Sequence, residues 1–284
     1  MTSPDPAWLT KQYNNRARVP EYAQFFERWA RDSAIARDRG SRRLDIAYGP
    51  SPAETLDVFP CPHAAAPVLV FIHGGWWRTL DKSDHSFIAP AFTREGAMVV
   101  VPNHGLCPNV SIEAIALQLV GALAWVYRNA ARYGGDPKRI VVAGHSAGGH
   151  LTAMLLSCDW PAVAPDLPAA LVTGGLAISG LFALEPLHRT PFLQADLRLT
   201  PHSVRRLSPA FFPAPARPLY AVAGADESEE FLRQTELIRD AWGPDAVPVC
   251  ETVPAAHHFN VLDDLIDTHG RLHGLALRLL RLAV

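Results

Sequence analysis

The run Gly144-His145-Ser146-Ala147-Gly148-Gly149-His150 constrains this chain more than any other segment. It follows the β-branched stretch Ile140-Val141-Val142-Ala143 and precedes an apolar stretch from Leu151 to Leu156. Strand, sharp reversal and helix are the context that a Gly-x-Ser-x-Gly nucleophile elbow needs. Glycines at 144 and 148 remove Cβ atoms where the chain doubles back, and Ser146 is left in a strained position with its hydroxyl presented at a helix start. A strand-to-helix turn with a serine that merely caps the helix is the plainer alternative.

The flanking pattern supports the elbow. From residue 67 onward, apolar runs of strand length alternate with helical stretches. Val68 to Ile72 and Ala97 to Val101 are continuously apolar, as strands covered on both faces should be. Ser111 to Tyr133 carries a helical stripe of Ile112, Ile115, Leu119, Ala122 and Val126, closed by Gly134-Gly135-Asp136-Pro137. Further strands are expected near Leu171 to Ile178, Pro218 to Ala223 and Val247 to Val253. Helices are expected over 228–242 and from Val261. This alternation predicts one α/β domain over residues 1–284, with a mostly parallel sheet between helical layers. Leu44 to Tyr48 and Leu56 to Phe59, separated by Gly49-Pro50-Ser51-Pro52, read as an antiparallel start. Residues 1–40 read as a peripheral helical segment with Tyr22, Phe25, Phe26 and Trp29 on one face. Residues 181–218 hold seven prolines and no clear period, which predicts a loop insertion acting as a cap.

A serine hydroxyl needs a base and an oxyanion cradle to react. In an elbow of this type both partners follow the serine in chain order. The strand before Gly224 is followed by Asp226 and Glu227, and either carboxylate could orient a histidine. Glu227 is favoured because a loop of that length turns back over the sheet edge; one of the two could instead cap the next helix. After the last strand come His257 and His258, of which His258 is preferred as the base. The cradle is expected from the amides of Ala147, Gly74 and Gly75, the latter two in the loop His73-Gly74-Gly75-Trp76-Trp77.

With 284 residues, a net charge of −2 and 19 % charged side chains, the chain gives no reason to expect nucleic acid or a membrane as partner. Four widely spaced cysteines form no Cys-x-x-Cys pair, and three of them are expected to be buried thiols. No signal-peptide pattern opens the sequence, so a cytoplasmic setting is expected. A small-molecule substrate is the expected partner, and a homodimer is compatible with the reading. A metal hydrolase built on His73, His145 and His150 lacks the usual helical spacing, and no metal or organic cofactor is expected. A non-catalytic binder would predict a damaged triad.

These residues resemble the α/β-hydrolase superfamily, and within it the kynurenine formamidase (arylformamidase) group with its His-Gly-Gly-x-Trp motif. The similarity runs through Tyr13 to Ala17, His73 to Arg78, Asp81 to Asp84, Gly144 to His150, Ser179 to Phe182, Glu227 to Phe231 and His258-Phe259. It implies Ser146 as nucleophile, Glu227 as acid and His258 as base. It implies removal of a formyl group from an N-formyl arylamine, with a carboxylesterase on small aryl or alkyl esters as the alternative. Trp76, Trp77 and Phe182 are candidates for an aryl pocket; plain core packing is the competing role of each. One departure is Asn103-His104-Gly105-Leu106-Cys107-Pro108, where such enzymes often carry a tyrosine-containing turn.

Overall fold

The computed structural model describes residues 4–282. The chain opens with three helices, α1 (Pro6–Tyr13), α2 (Asn15–Arg18) and α3 (Tyr22–Asp38). Strands β1 (Arg43–Ala47) and β2 (Thr55–Phe59) follow as an antiparallel pair. The alternating part then runs β3 (Ala66–Ile72), α4 (Ala89–Arg94), β4 (Met98–Pro102), α5 (Ile112–Asn129), β5 (Gly135–His145), α6 (Ala147–Leu156), α7 (Trp160–Val163) and β6 (Val172–Ile178). After an insertion come β7 (Leu219–Gly224), a helix over Glu229–Ala246, β8 (Val249–Val253) and two helices over Val261–Ile266 and Arg271–Leu280.

The eight strands form one sheet in the order β1-β2-β4-β3-β5-β6-β7-β8. β2 pairs antiparallel with both β1 and β4, and every pair from β4 to β8 is parallel. The order reverses direction around β3, so the carboxyl ends of β3, β5, β7 and β8 open onto one edge. In a sheet of this kind that edge is where a site is built.

Period-two alternation divides the core. Val68, Val70 and Ile72 of β3 face one helical layer, while Leu69 and Phe71 face the other. Met98 and Val100 of β4 are likewise separated from Val99 and Val101. Helix α5 covers the first face with Ile112, Ile115, Leu119 and Val126, and Ser111 caps it by accepting the Ala114 amide at 3.1 Å. The predicted helix to Tyr133 stops at Asn129; its last turn tightens to a 3-10 turn over Ala130–Tyr133 and closes on Gly134 at φ +87°. Among the described residues no helix is long and apolar enough to cross a membrane.

Two segments differ from expectation. The described part of residues 1–40 is mostly helical but not peripheral: Leu9 and Tyr13 are wholly buried in the main core, and Trp29 is buried in the second. The insertion is not an irregular loop. It contains α8 (Glu185–His188), α9 (Pro191–Leu197) and α10 (Pro201–Arg206), each with proline in its first turn. Those prolines initiate helices, because a first-turn residue has no intrahelical N–H bond to lose. Leu187, Leu193, Leu197 and Val204 then fasten them to the core. Of the cysteines only Cys107 is buried; Cys61, Cys158 and Cys250 are half-buried free thiols.

Candidate active site

Ser146 sits between β5 and α6 with φ +57° and ψ −116°, a conformation that a non-glycine residue holds only when its surroundings demand it. Those surroundings are visible. The Ser146 amide donates to the Ile178 carbonyl on β6 at 2.8 Å. A methyl group at Gly148 would collide with the Ile72 carbonyl, and one at Gly144 with the Gly148 carbonyl. The two glycines are therefore required by close backbone approach between β3, β5 and α6.

From Ser146 a chain of polar contacts runs across the sheet edge. Its Oγ lies 3.0 Å from His258 Nε2, and His258 Nδ1 lies 2.6 Å from Glu227 Oε2. All three residues are buried. The other carboxylate oxygen of Glu227 accepts the Gly224 amide at 2.9 Å and the Ser179 hydroxyl. Three donors thus converge on one buried carboxylate, the arrangement a buried anion needs. Asp226, the rival carboxylate, is exposed, and His257 lies half-exposed with its Nδ1 accepting the amides of Phe259 and Asn260.

His145 and Ser179 carry functions that the sequence reading did not assign. His145 Nε2–H donates to the His258 carbonyl at 2.8 Å, which fixes the backbone that carries the imidazole. Burial, reinforced by the neighbouring His258 and His85, holds His145 well below the ordinary histidine range and keeps it neutral. Ser179 stands at φ +53° just past β6, with its amide bonded to Val222 on β7. The sequence signals for it are a polar residue directly after a central strand and its place in the Ser179 to Phe182 stretch of the resemblance.

The glycine-rich loop after β3 turns sharply: Gly75, Trp76 and Trp77 have φ of +101°, +55° and +54°. The Gly75 carbonyl accepts the amides of Arg78 and Thr79 at 3.1 and 3.0 Å. The amides of Gly74, Gly75 and Ala147 donate to no acceptor among the described residues. Gly74 abuts the serine, since a Cβ there would stand 3.1 Å from Ser146 Cβ.

A charge cluster centred on the buried Asp57 and Lys82 anchors the segment that follows this loop. Lys82 Nζ donates to Asp57 on β2 at 2.7 Å and to Asp45 on β1 at 2.5 Å, and Arg37 of α3 binds the other oxygen of Asp57. Lys82 lowers the pKa of Asp45 by hydrogen bonding to it. The segment that departs from the usual tyrosine turn is also used here. Asn103 donates to Asp81 at 2.7 Å and accepts the Lys82 amide, while His104 stacks on His73 at 4.4 Å.

A small pocket has Ser146, His145 and His258 in its wall. Trp29, Phe26, Phe259, Leu80 and Trp76 give it an apolar wall, and Asn15 and Arg16 also line it. A second, outer space is lined by Asn15, Arg16, Trp76, Arg78, Phe192 and Asp196, so the two share a boundary. Two of the three aromatic candidates are corrected by this geometry. Trp77 is wholly buried and packs edge-on against His150 at 5.0 Å. Phe182 is wholly buried in the core beneath the insertion. Only Trp76 reaches the pocket. Each of the three histidines weighed as metal ligands commits a ring N–H to a carbonyl: His73 to Gly74, His145 to His258 and His150 to Leu207.

Comparison with known proteins agrees with this architecture. The BD-FAE family matches residues 56–158. A kynurenine formamidase from Danio rerio is 27% identical, over 86% of this chain and 84% of that protein. Esterase LipQ from Mycobacterium tuberculosis is 31% identical, over 78% of this chain and 58% of its own length. The crystal structure of a proposed thioesterase from a Silicibacter species superposes with a TM-score of 0.81 at 30% identity, covering 93% of this chain and 97% of that one. A mostly parallel sheet with a serine elbow, matched over nearly its whole length by such proteins, places the chain in the α/β-hydrolase superfamily, with similarity to kynurenine formamidases and esterases.

Proposed function

We propose that the protein is a serine hydrolase that removes a small acyl group, with the formyl group of an N-formyl arylamine as its substrate class. The observation that carries the reading is the unbroken contact from Ser146 Oγ through His258 to Glu227, at 3.0 and 2.6 Å. His258 Nε2 takes the serine proton as Oγ adds to the formyl carbon. Glu227 holds Nδ1–H, so the free lone pair faces the serine. The carbonyl oxygen becomes an oxyanion, and the unengaged amides of Gly74, Gly75 and Ala147 are the donors available to it. One such donor is worth about 3–4 kcal/mol at the transition state. The imidazolium then protonates the departing aryl nitrogen as the C–N bond breaks. Water, deprotonated by the same imidazole, attacks the formyl-serine and releases formate.

The formyl preference is supported by the similarity to the kynurenine formamidase and by the aromatic wall of the pocket. A carboxylesterase is the second reading, favoured by the similarity to esterase LipQ. The test is a kinetic comparison of formanilide with phenyl acetate, paired with fluorophosphonate labelling. Formanilide turnover that disappears in Ser146→Ala, with label on Ser146, is the expected result. Ester turnover without formanilide turnover would replace the first reading with the second. Labelling of a different residue would overturn both.

A further inference from the structure

Acyl transfer from nitrogen differs from acyl transfer from oxygen by one hydrogen. When Ser146 Oγ adds to an anilide, the carbonyl carbon becomes tetrahedral and the amide nitrogen becomes pyramidal. The nitrogen lone pair must face the His258 imidazolium to be protonated, and the N–H then points away from that ring. Inside an apolar pocket with no acceptor, this N–H would lose its bond to water and gain nothing in return. An ester oxygen carries no hydrogen and makes no such demand.

His145 offers an acceptor where it is needed. Its Nε2 faces the His258 carbonyl at 2.8 Å. A carbonyl only accepts, so Nε2 carries the ring hydrogen and the neutral imidazole keeps a lone pair on Nδ1. Nothing among the described residues donates to that lone pair. The unpaired Nε2 atoms of His73, His85 and His104 are sealed inside the protein, but Nδ1 of His145 is not among the enclosed unpaired atoms. Its residue lines the pocket together with Ser146 and His258. The two imidazoles lie 4.7 Å apart, centre to centre. A methyl group at Gly74 would stand 3.2 Å from Nδ1 and 3.1 Å from Ser146 Cβ, so the unused lone pair borders the nucleophile as well as the base. No aspartate or glutamate lines the pocket to compete for a donor.

We propose that His145 Nδ1 accepts the N–H of the scissile anilide bond, which makes it a catalytic residue for C–N cleavage in particular. The inference rests on the Ser146–His258 hydrolase reading. As the tetrahedral adduct collapses, His258 Nε2 passes its proton to the nitrogen lone pair and the C–N electron pair goes to nitrogen. The arylamine departs with its original hydrogen still donated to Nδ1. His145 neither gains nor loses a proton.

The test reads the ratio of kcat/KM for an anilide bearing N–H over its N-methyl counterpart. Two pairs are used, formanilide with N-methylformanilide and trifluoroacetanilide with N-methyltrifluoroacetanilide, and phenyl acetate reports on ester cleavage. The wild type should favour the N–H member of each pair. His145→Gln keeps an NH₂ where Nε2–H stands and removes the acceptor at Nδ1. It should lower the ratio about tenfold, as loss of one hydrogen bond does. His145→Asn puts an oxygen near Nδ1 and gives up the contact with the His258 carbonyl. It should slow every substrate alike and keep the ratio, because a defect in the His258 backbone cancels within each pair. A wild-type ratio near one in both pairs, an unchanged ratio in His145→Gln, or equal falls in the two variants would overturn the proposal. Turnover of phenyl acetate with every anilide inert would overturn it too. Inert formanilides beside active trifluoroacetanilides would defeat the formyl reading alone, since the second pair still reports on His145. Silence from all the substrates would remove the hydrolase reading and this inference with it.

Discussion

Replacing Glu227 by glutamine gives the sharpest test of the polar chain. The carboxylate uses Oε1 to accept both the Gly224 amide and the Ser179 hydroxyl, and Oε2 to accept His258 Nδ1–H. The backbone amide of Gly224 cannot reverse its polarity. In Glu227→Gln the new side-chain amide would therefore keep its oxygen toward Gly224 and turn its NH₂ toward His258. Two donors cannot face each other, so the imidazole must move its proton to Nε2. That nitrogen then presents a hydrogen to Ser146 instead of a lone pair. The size and the remaining bonds are preserved, so the fold should survive. A wrong-tautomer defect of this type costs about 10⁴ in kcat, or about 5.5 kcal/mol in activation free energy. Steady-state kinetics on the better of formanilide and phenyl acetate measures it, alongside the rate of fluorophosphonate labelling. Asp226→Asn, at an exposed position, should change kcat by less than about twofold, as surface substitutions generally do. A loss below about tenfold in Glu227→Gln, or an equal loss in Asp226→Asn, would refute the tautomer argument.

Further outcomes follow from burial. Trp77→Ala should cost about 3–5 kcal/mol of stability, read as a lower urea midpoint, because it empties a wholly enclosed volume. Trp76→Ala should instead raise KM with a much smaller shift in midpoint; the opposite division would mean that the two indoles exchange roles. Stability should also fall in acid. Burial pushes His85 and His104 down to about 3 and His150 to about 4, and lowers His73 and His145 as well. The unfolded chain takes up protons near 6.5 that the native fold refuses. Native stability is thus fully present above that value and lost as the pH drops below it, by up to about 1.4 kcal/mol per pH unit for each such group. Thermal melts taken from about pH 7.5 to about pH 5 should show a falling midpoint; a level midpoint would contradict the neutral, buried histidines.

The parallel strands were legible because β3 and β4 are buried on both faces and leave no polar position to interrupt the apolar run. Ser146 was legible because the reversal needs glycine at two fixed offsets. The choice of Glu227 over Asp226, and of His258 over His257, rested on loop length and resemblance, since neighbouring residues of one type look alike before the chain is folded. The adjacent indoles at 76 and 77 were not separable for a related reason. Both occupy left-handed backbone, where alternation of faces no longer holds. Prolines 186, 191 and 201 carried the opposite meaning from the one assigned, because a proline that stops one helix equally starts another. The depth of Leu9 and Tyr13 was hidden because α1 shows only a short apolar pattern, and its partners lie far along the chain. Tyr13, for example, donates to Glu230 at 2.6 Å.

The cluster around Asp57 has a consequence for how the donor loop behaves. Asp57 is wholly enclosed and reached by cations from two separate parts of the chain, one of them in the loop segment that follows the glycines. Retracting that segment would break the buried Lys82–Asp57 pair and leave Arg37 to balance the enclosed carboxylate alone, a loss that an interior site penalises. The glycine loop just ahead of Lys82 is therefore tethered by ion pairs that form with the fold itself. A loop held this way is as permanent as the strands to which it is bolted.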